Sequence, residues 1–231
     1  MQRLLVILGA LLLASLGLAD ASHAAGGGGG GGGVDLGGVG NSRDSDTKMV
    51  AKRFERAKDH FEQAKTLEAK LEATTSPDEQ KDLEKKIHGE YDDARGDLEY
   101  VVKKQPNSYP AQSELGFALR KLGRFDDSLK AYDRALATKP GYAPAIEYRG
   151  EANLELGHLA EARAAWEKLS NLDSELADQL LTKMQRWVAR QKTKPDGNIE
   201  PDALGEFEAW LAEKKISDMP PGFVRSASTR W

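Results

Sequence analysis

The sequence predicts an all-α fold: a short solenoid of helix–turn–helix units, with a long helix before it and capping helices after it. Three observations predict this fold. Helix-forming residues (alanine, leucine, glutamate, lysine and arginine) dominate the chain after residue 45. Apolar residues there recur at steps of three and four, which places them on one side of a helix. Residues 109–142 are also similar to residues 143–176 at an offset of 34, a period typical of stacked helical units.

The composition fits a helix-rich globular protein. The chain has 231 residues and a formal net charge of −4, with 30% charged and 39% hydrophobic residues. This mild acidity argues against a general nucleic-acid-binding protein, which would carry a strong basic excess. The chain has no cysteine, so disulfides, thiolate metal sites and cysteine nucleophiles are excluded.

Residues 1–24 have the pattern of a signal peptide. Arg3 supplies a positive charge, residues 4–18 are almost wholly apolar, and small residues around Ala21 and Ala24 offer cleavage sites. The apolar segment is shorter than the roughly 20 residues that a spanning helix needs. We therefore expect an exported protein of bacterial type, periplasmic or secreted. The alternative is an uncleaved helix that anchors the protein in the inner membrane.

Residues 25–44 are rich in glycine, and the run from Gly26 to Gly33 is unbroken. Such a segment has high backbone entropy and no side chains to bury. It is therefore predicted to be a flexible linker.

Residues 45–108 are predicted to form a helical region that includes a degenerate repeat. Apolar residues make a stripe from Asp46 to Glu72, and a second helix starts with Ser76 as its cap and Pro77 at its first position. An antiparallel pair is the simplest packing, and a freestanding coiled coil is the alternative. Gly89 falls in register with the glycines that end the first helices of the later units.

The two clear repeats are residues 109–142 and 143–176. Leu115-Gly116 aligns with Arg149-Gly150, and Ala131-Tyr132 aligns with Ala165-Trp166. Small residues allow two helices of a unit to pack closely, and glycine after the first helix ends it in a left-handed conformation. This pattern resembles the tetratricopeptide repeat family. The residues predicted to pack the repeats are Gly116, Gly123, Ser128, Tyr132, Ala135, Pro140, Gly150, Gly157, Ala162 and Trp166.

The resemblance implies that the first helix of each unit lines a groove that binds a protein or peptide partner. On this chain the groove residues would be Ser113, Phe117, Arg120, Lys121, Glu147, Glu151, Leu154 and Glu155. The three glutamates form a negative strip, which favours a ligand with basic residues. The alternative is that this strip is a solvated helix face. Related chaperone-binding repeats hold a terminal carboxylate with lysines and an asparagine, which this chain lacks at those positions.

After the repeats, residues 177–214 are predicted to be capping helices, because apolar stripes continue without the repeat's glycines. Residues 215–231 are predicted to be a flexible tail.

No motif for catalysis, metal binding or cofactor binding is found. The four histidines lie far apart, and neither a nucleophile turn nor a phosphate-binding loop occurs. We therefore expect no metal, no cofactor and no enzyme activity. The sequence favours a non-catalytic interaction scaffold of the periplasm or cell envelope that does not bind nucleic acid. The alternative is a membrane-tethered structural or assembly component.

Overall fold

A computed structural model describes residues 37–195, 197 and 199–217, with side chains from residue 44 to residue 214 within those ranges. All regular structure in this part of the chain is helical, which confirms the predicted all-α class. The helices are α1 (Gly37–Ala73), α2 (Pro77–Lys104), α3 (Tyr109–Lys121), α4 (Phe125–Thr138), α5 (Ala143–Glu155), α6 (Leu159–Ser170), α7 (Ser174–Thr193) and α8 (Pro201–Ser217). The predicted signal peptide, residues 25–36 of the predicted linker and residues 218–231 of the predicted tail lie outside the described residues.

The first helix begins before the predicted end of the linker. Residues 37–44 were assigned to the linker, but α1 starts at Gly37. The first buried side chain is Val50, and residues 44–49 are exposed. Each residue added to an existing helix gains a hydrogen bond without a new nucleation cost, so a packed helix can continue beyond its buried part. An ion pair between Asp44 and Lys48 stabilises this exposed turn.

Helices α1 and α2 form an antiparallel pair. Asp46 near the start of α1 pairs with Lys104 at the end of α2 at 2.9 Å. Farther along, His60 contacts Glu90 at 2.7 Å. Pro77 opens α2 as predicted, although no capping hydrogen bond forms to the preceding serine side chain. Because α2 also packs on α3, the pair is part of the stack and not a freestanding coiled coil.

A buried carboxylate joins the two helices of this pair at mid-length. Asp97 on α2 is 2% exposed. It accepts hydrogen bonds from Arg53, at 2.9 Å, and from Arg56 on α1. Burial raises the pKa of Asp97, but the bonds and charges of the two arginines outweigh it, so the pKa lies below its usual value. The interaction fixes the register of α1 against α2.

The two predicted repeats are helix pairs, α3 with α4 and α5 with α6. Their first helices begin at residues 109 and 143, where the sequence repeat begins. The turn inside each pair contains a glycine with positive φ, 74° at Gly123 and 75° at Gly157. Only glycine adopts this conformation at little cost, so these two residues end α3 and α5.

In each unit, a glycine of the first helix lies in close contact with a neighbouring helix. A Cβ atom on Gly116 would lie 2.5 Å from the Tyr132 ring. On Gly150 it would lie 2.9 Å from Leu180 and 3.0 Å from the Cβ of Ala165. The distance at Gly116 is shorter than real Cβ contacts, so a side chain there would displace the Tyr132 ring. At Gly150 the flexible end of Leu180 could shift, but a Cβ would still press tightly on Ala165. Both positions therefore favour glycine, Gly116 more strongly.

The other residues predicted to pack the repeats lie in the core or at a turn, as the repeat pattern predicts. Ala135 and Ala162 are fully buried, and Trp166 is 9% exposed within the core. Ser128 is also fully buried, and its hydroxyl donates to the Phe125 carbonyl at 2.7 Å. Pro140 lies at the exposed turn after α4, where its carbonyl accepts a hydrogen bond from Lys168.

The predicted degenerate repeat lacks the turn that its alignment with the later repeats places at Gly89. Gly89 was aligned with the turn glycines, but α2 runs through it without a break. Its φ is not positive, and a Cβ there would meet nothing within 4 Å. Since α1 already covers the buried side of α2 through residues such as Ala57 and Ala94, the chain gains nothing from a hairpin at this point. The long helix α1 takes the place of the missing first helix.

The capping helices close the stack with aromatic side chains. Trp187 of α7 and Phe207 of α8 pack edge to face, and Trp210 stacks on Phe207. Trp210 also meets Trp166 of the second repeat. These side chains belong to one buried cluster. Helix α7 starts three residues before the predicted cap, and α8 ends at residue 217, inside the predicted tail.

Alanine substitutions at Gly116 and Gly89 should change the free energy of unfolding in opposite directions. Gly116→Ala is expected to lower the free energy of unfolding by about 1–3 kcal/mol, because the new methyl group overlaps the Tyr132 ring. Gly89→Ala is the matched control, and it should raise that free energy by about 0.5–1 kcal/mol, because position 89 is an open site within a helix. Urea unfolding followed by circular dichroism measures both. Destabilisation by Gly89→Ala would instead indicate a turn at residue 89.

Candidate partner-binding surface

The first helices of successive pairs, α1, α3, α5 and α7, lie side by side. Neighbouring helices are joined by Lys121–Glu68 at 2.6 Å and Arg120–Glu151 at 2.8 Å. The surface built from these helices, called the inner face below, consists of Glu68, Glu114, Phe117, Arg120, Lys121, Tyr148, Glu151, Glu155, Lys183 and Arg190. It includes five of the eight residues predicted to line the groove.

Charges on the inner face alternate from helix to helix. Helices α1 and α5 supply acidic side chains, and α3 and α7 supply basic ones, with Glu114 of α3 as the exception. Lys183 of α7 donates to both Glu147 and Glu151 of α5. Arg190 of α7 pairs with Glu155 of α5 at 2.5 Å. The inner face is thus largely neutralised by the chain itself.

The predicted acidic strip is engaged within the protein. Glu147 is 1% exposed and Glu151 is partly buried, and α7 lies beside both. Burial, the largest effect, and the neighbouring Glu151 raise the pKa of Glu147, Lys183 opposes them, and the resulting pKa is about 7. The strip is therefore neither the solvated helix face nor the open negative surface that the sequence suggested. A basic ligand would have to displace Lys183 or Arg190 to reach it.

Two further predicted groove residues belong to the interior. Ser113 is 1% exposed and Leu154 is 2% exposed. Leu154 packs in the same buried cluster as Ile146 and Leu180, between α5 and α7. Neither side chain can contact a partner in this arrangement. The binding role of the remaining groove residues stays a prediction.

Phe117 is the centre of an aromatic cluster on the inner face. Its ring centroid lies 5.1 Å from that of Phe61, 6.0 Å from Tyr91 and 5.0 Å from Tyr148. The Arg120 guanidinium lies 5.3 Å from the same ring. Such ring contacts stabilise by about 0.5–1.5 kcal/mol each beyond the area that they bury. Phe117 therefore joins α1, α2, α3 and α5 while part of its surface stays accessible.

Glu114 is the unusual acid of the inner face. Its side chain is partly buried, yet within the described residues it makes no hydrogen bond and no ion pair. Burial raises the pKa of Glu114, the charge of Lys58 on α1 offsets this only in part, and the resulting pKa is about 7. Burial, followed by the nearby Glu114, raises the pKa of Tyr142 to about 12 and also raises that of Tyr148. Glu114 thus lies among aromatic side chains as a carboxyl group without a partner.

The described part of the chain offers neither a cluster of metal-ligating side chains nor a membrane-spanning helix. No group of three or more histidine, aspartate or glutamate residues lies together there as metal ligands would. None of the described helices is long and apolar enough to cross a membrane.

Sequence reasoning missed Glu68, Glu114, Tyr148, Lys183 and Arg190. A signal for two of them was present, because the bonded pairs Lys183–Glu151 and Arg190–Glu155 are separated by 32 and 35 residues, close to one repeat. Opposite charges at such offsets on neighbouring helices predict ion pairs across the stack. Glu114 has no such signal, because it has no ion-pair partner at a repeat offset within the described residues.

Comparisons with known proteins agree with the repeat architecture. The model of the tetratricopeptide repeat matches residues 88–143 and 114–170. The Hsp70-Hsp90 organizing protein of Triticum aestivum is 28% identical over 139 residues, which cover 57% of this chain and 23% of the wheat protein. The Protein CTR9 homolog of Arabidopsis thaliana is 32% identical over 94 residues, covering 40% of this chain and 9% of that protein. This chain therefore spans less than a quarter of either relative.

Solved structures that are weakly similar to this chain include that of MamA. The crystal structure of MamA covers 80% of this chain and 96% of its own, with a TM-score of 0.41 and 20% sequence identity. The two family matches overlap and together span residues 88–170, which contain α3 to α6 and their close glycine contacts. Over these residues, the chain is similar to the tetratricopeptide repeat family.

Proposed function

We propose that this chain is a non-catalytic scaffold that holds a protein or peptide partner on its inner face. Repeats of this family act as protein-interaction modules, and one relative is named as an organizing protein for Hsp70 and Hsp90. Ion pairs and aromatic contacts hold the inner helices in place. A preformed surface of this kind loses little conformational entropy when it binds.

The observation that carries the proposal is the unpaired Glu114. The other acidic residues of the inner face, Glu68, Glu151 and Glu155, each have a basic partner from a neighbouring helix. Glu114 has none within the described residues, although burial makes its charged form costly. An arginine or lysine from a partner would restore the missing interaction. The accessible part of Phe117 would contact an apolar side chain next to it.

This assignment changes the predicted place of the partner's basic residue. The sequence favoured pairing with Glu147, Glu151 or Glu155. In the structure their charges are already compensated, so we place the basic residue at Glu114. Substitution of Glu151 would not test binding cleanly, because it also breaks the bonds to Arg120 and Lys183.

The sequence of residues 1–24 supports a location in the periplasm or cell envelope. Residues 4–18 are apolar, and small residues follow them. If the same segment is kept, the scaffold becomes a membrane-tethered assembly component instead. The exported scaffold and the membrane-tethered component would both bind their partner on the inner face.

Partner capture should depend on Glu114 and Phe117. With the purified protein as bait, Glu114→Gln is expected to weaken retention of the native partner about tenfold, because a charge-assisted bond is lost. Phe117→Leu should also weaken it. Glu84→Gln, on the exposed side of α2, is the matched control and should leave retention unchanged. Equal capture by all four proteins, measured by quantitative mass spectrometry, would contradict the inner face as the binding surface.

Glu114→Gln should also stabilise the protein above neutral pH. Between pH 4.5 and about 7, folded Glu114 keeps a proton that the unfolded chain has lost, so stability falls as pH rises through that window. Glutamine does not ionise, and Glu114→Gln should therefore raise the free energy of unfolding by about 1–2 kcal/mol at pH 8. At pH 4 the two proteins should be nearly equal. Urea unfolding at pH 4, 6 and 8 gives the comparison, and a pH-independent difference would contradict the unpaired carboxyl.

The mass of the native protein distinguishes the exported module from the tethered one. Removal of residues 1–21 or 1–24 is expected, with the protein in the soluble envelope fraction. Intact mass spectrometry of protein purified from its own cells gives the answer directly. A protein that retains Met1 and stays with the membrane would favour the tethered component.

A further inference from the structure

A second concave site lies on the opposite side of α3 from Glu114. Helices α2 and α4 form its walls, and Leu115 and Leu119 of α3 contribute to its floor. The cavity, called the outer cleft below, has a volume of about 610 Å³ and is open to solvent. That size is within the range of ligand sites in proteins. None of the residues in the proposed partner-binding surface lines it.

The wall of the outer cleft contains a buried polar atom without a partner. Gln112 of α3 is 2% exposed. Its side-chain nitrogen donates to the Pro106 carbonyl at 3.0 Å, but its side-chain oxygen accepts no hydrogen bond from the described residues. Thirty-four residues later, the equivalent position holds the buried, apolar Ile146. Gln112 thus introduces an acceptor at a position where the next repeat has none, and a buried acceptor is costly unless something donates to it.

The charge of the outer cleft is opposite in sign to that of the chain. Four basic and two acidic side chains line it, whereas the whole chain has a net charge of −4. Two of the basic residues, Arg124 and Lys130, are bonded to Asp127. The other two, Lys103 of α2 and Arg134 of α4, form no ion pair within the described residues. Two unengaged cations therefore stand on opposite walls of the cleft.

We propose that the outer cleft is a second binding site, which takes an extended acidic peptide segment. A peptide carries the required groups together: backbone N–H groups that can donate to the Gln112 oxygen, and carboxylates that can pair with Lys103 and Arg134. The scaffold would then hold a basic segment on its inner face and an acidic segment on its outer side, with α3 between them.

Fluorescence anisotropy with a labelled hexaglutamate peptide and the full chain tests this site. The wild-type protein should bind, and the double variant Lys103→Gln, Arg134→Gln should bind about fivefold or more weakly. Lys85→Gln with Arg186→Gln removes the same charge from exposed positions away from the cleft and is the matched control. Gln112→Leu should also weaken binding, because it removes the acceptor. Circular dichroism confirms that each variant is folded.

Several outcomes would overturn the proposal. They are no binding by the wild-type protein, equal binding by the cleft variants, or an equal loss in the matched control. A free N-acetylglutamate that binds as tightly as the peptide would show a site for small anions and not for a peptide. Glu114→Gln should leave hexaglutamate binding unchanged, so failure of the outer cleft and failure of the inner face are distinguishable.

Discussion

The close approach of paired helices is the constraint on which the rest of the structure depends. Gly116 lets the ring of Tyr132 lie against the backbone of α3, and Gly150 lets α5 approach Ala165 and Leu180. A methyl group at Gly116 would overlap the Tyr132 ring, and one at Gly150 would press on Ala165 and Leu180. The contacts with Tyr132 and Ala165 lie within a helix pair, and the contact with Leu180 lies between α5 and α7. The two glycines therefore help to set where the helices that carry the inner face lie.

Once the pairs are stacked, charges one repeat apart become neighbours. Arg120 and Lys183 reach Glu151 from opposite sides, and Lys121 reaches Glu68. Partly buried ion pairs contribute less net stability than their geometry suggests, because each charge loses solvation. Removing one partner would leave the other charge buried without compensation. The network thus favours one order and register of the inner helices.

The sequence predicted the architecture better than the surface. A 34-residue period with glycines in register identified the helix pairs, because those contacts lie within or between adjacent repeats. The sequence also predicted the antiparallel pair of α1 and α2, but not that α2 continues through Gly89, where the repeat pattern has a turn. It also misplaced Leu154 and Glu147, which were expected to be accessible. Their exposure is decided by α7, a helix outside the recognisable repeat, whose packing no local pattern describes.

Two side chains of α3 depart from the pattern that packing alone would favour. Gln112 puts a polar group where the second repeat has Ile146, and Glu114 puts an unpaired carboxyl among aromatic rings. Because Gln112 and Glu114 are two residues apart on a helix, their side chains point to nearly opposite sides. Natural proteins depart from such local rules mainly at functional positions, since each departure lowers stability. Because the rest of α3 follows the repeat pattern closely, this helix is the natural place for binding on both of its faces.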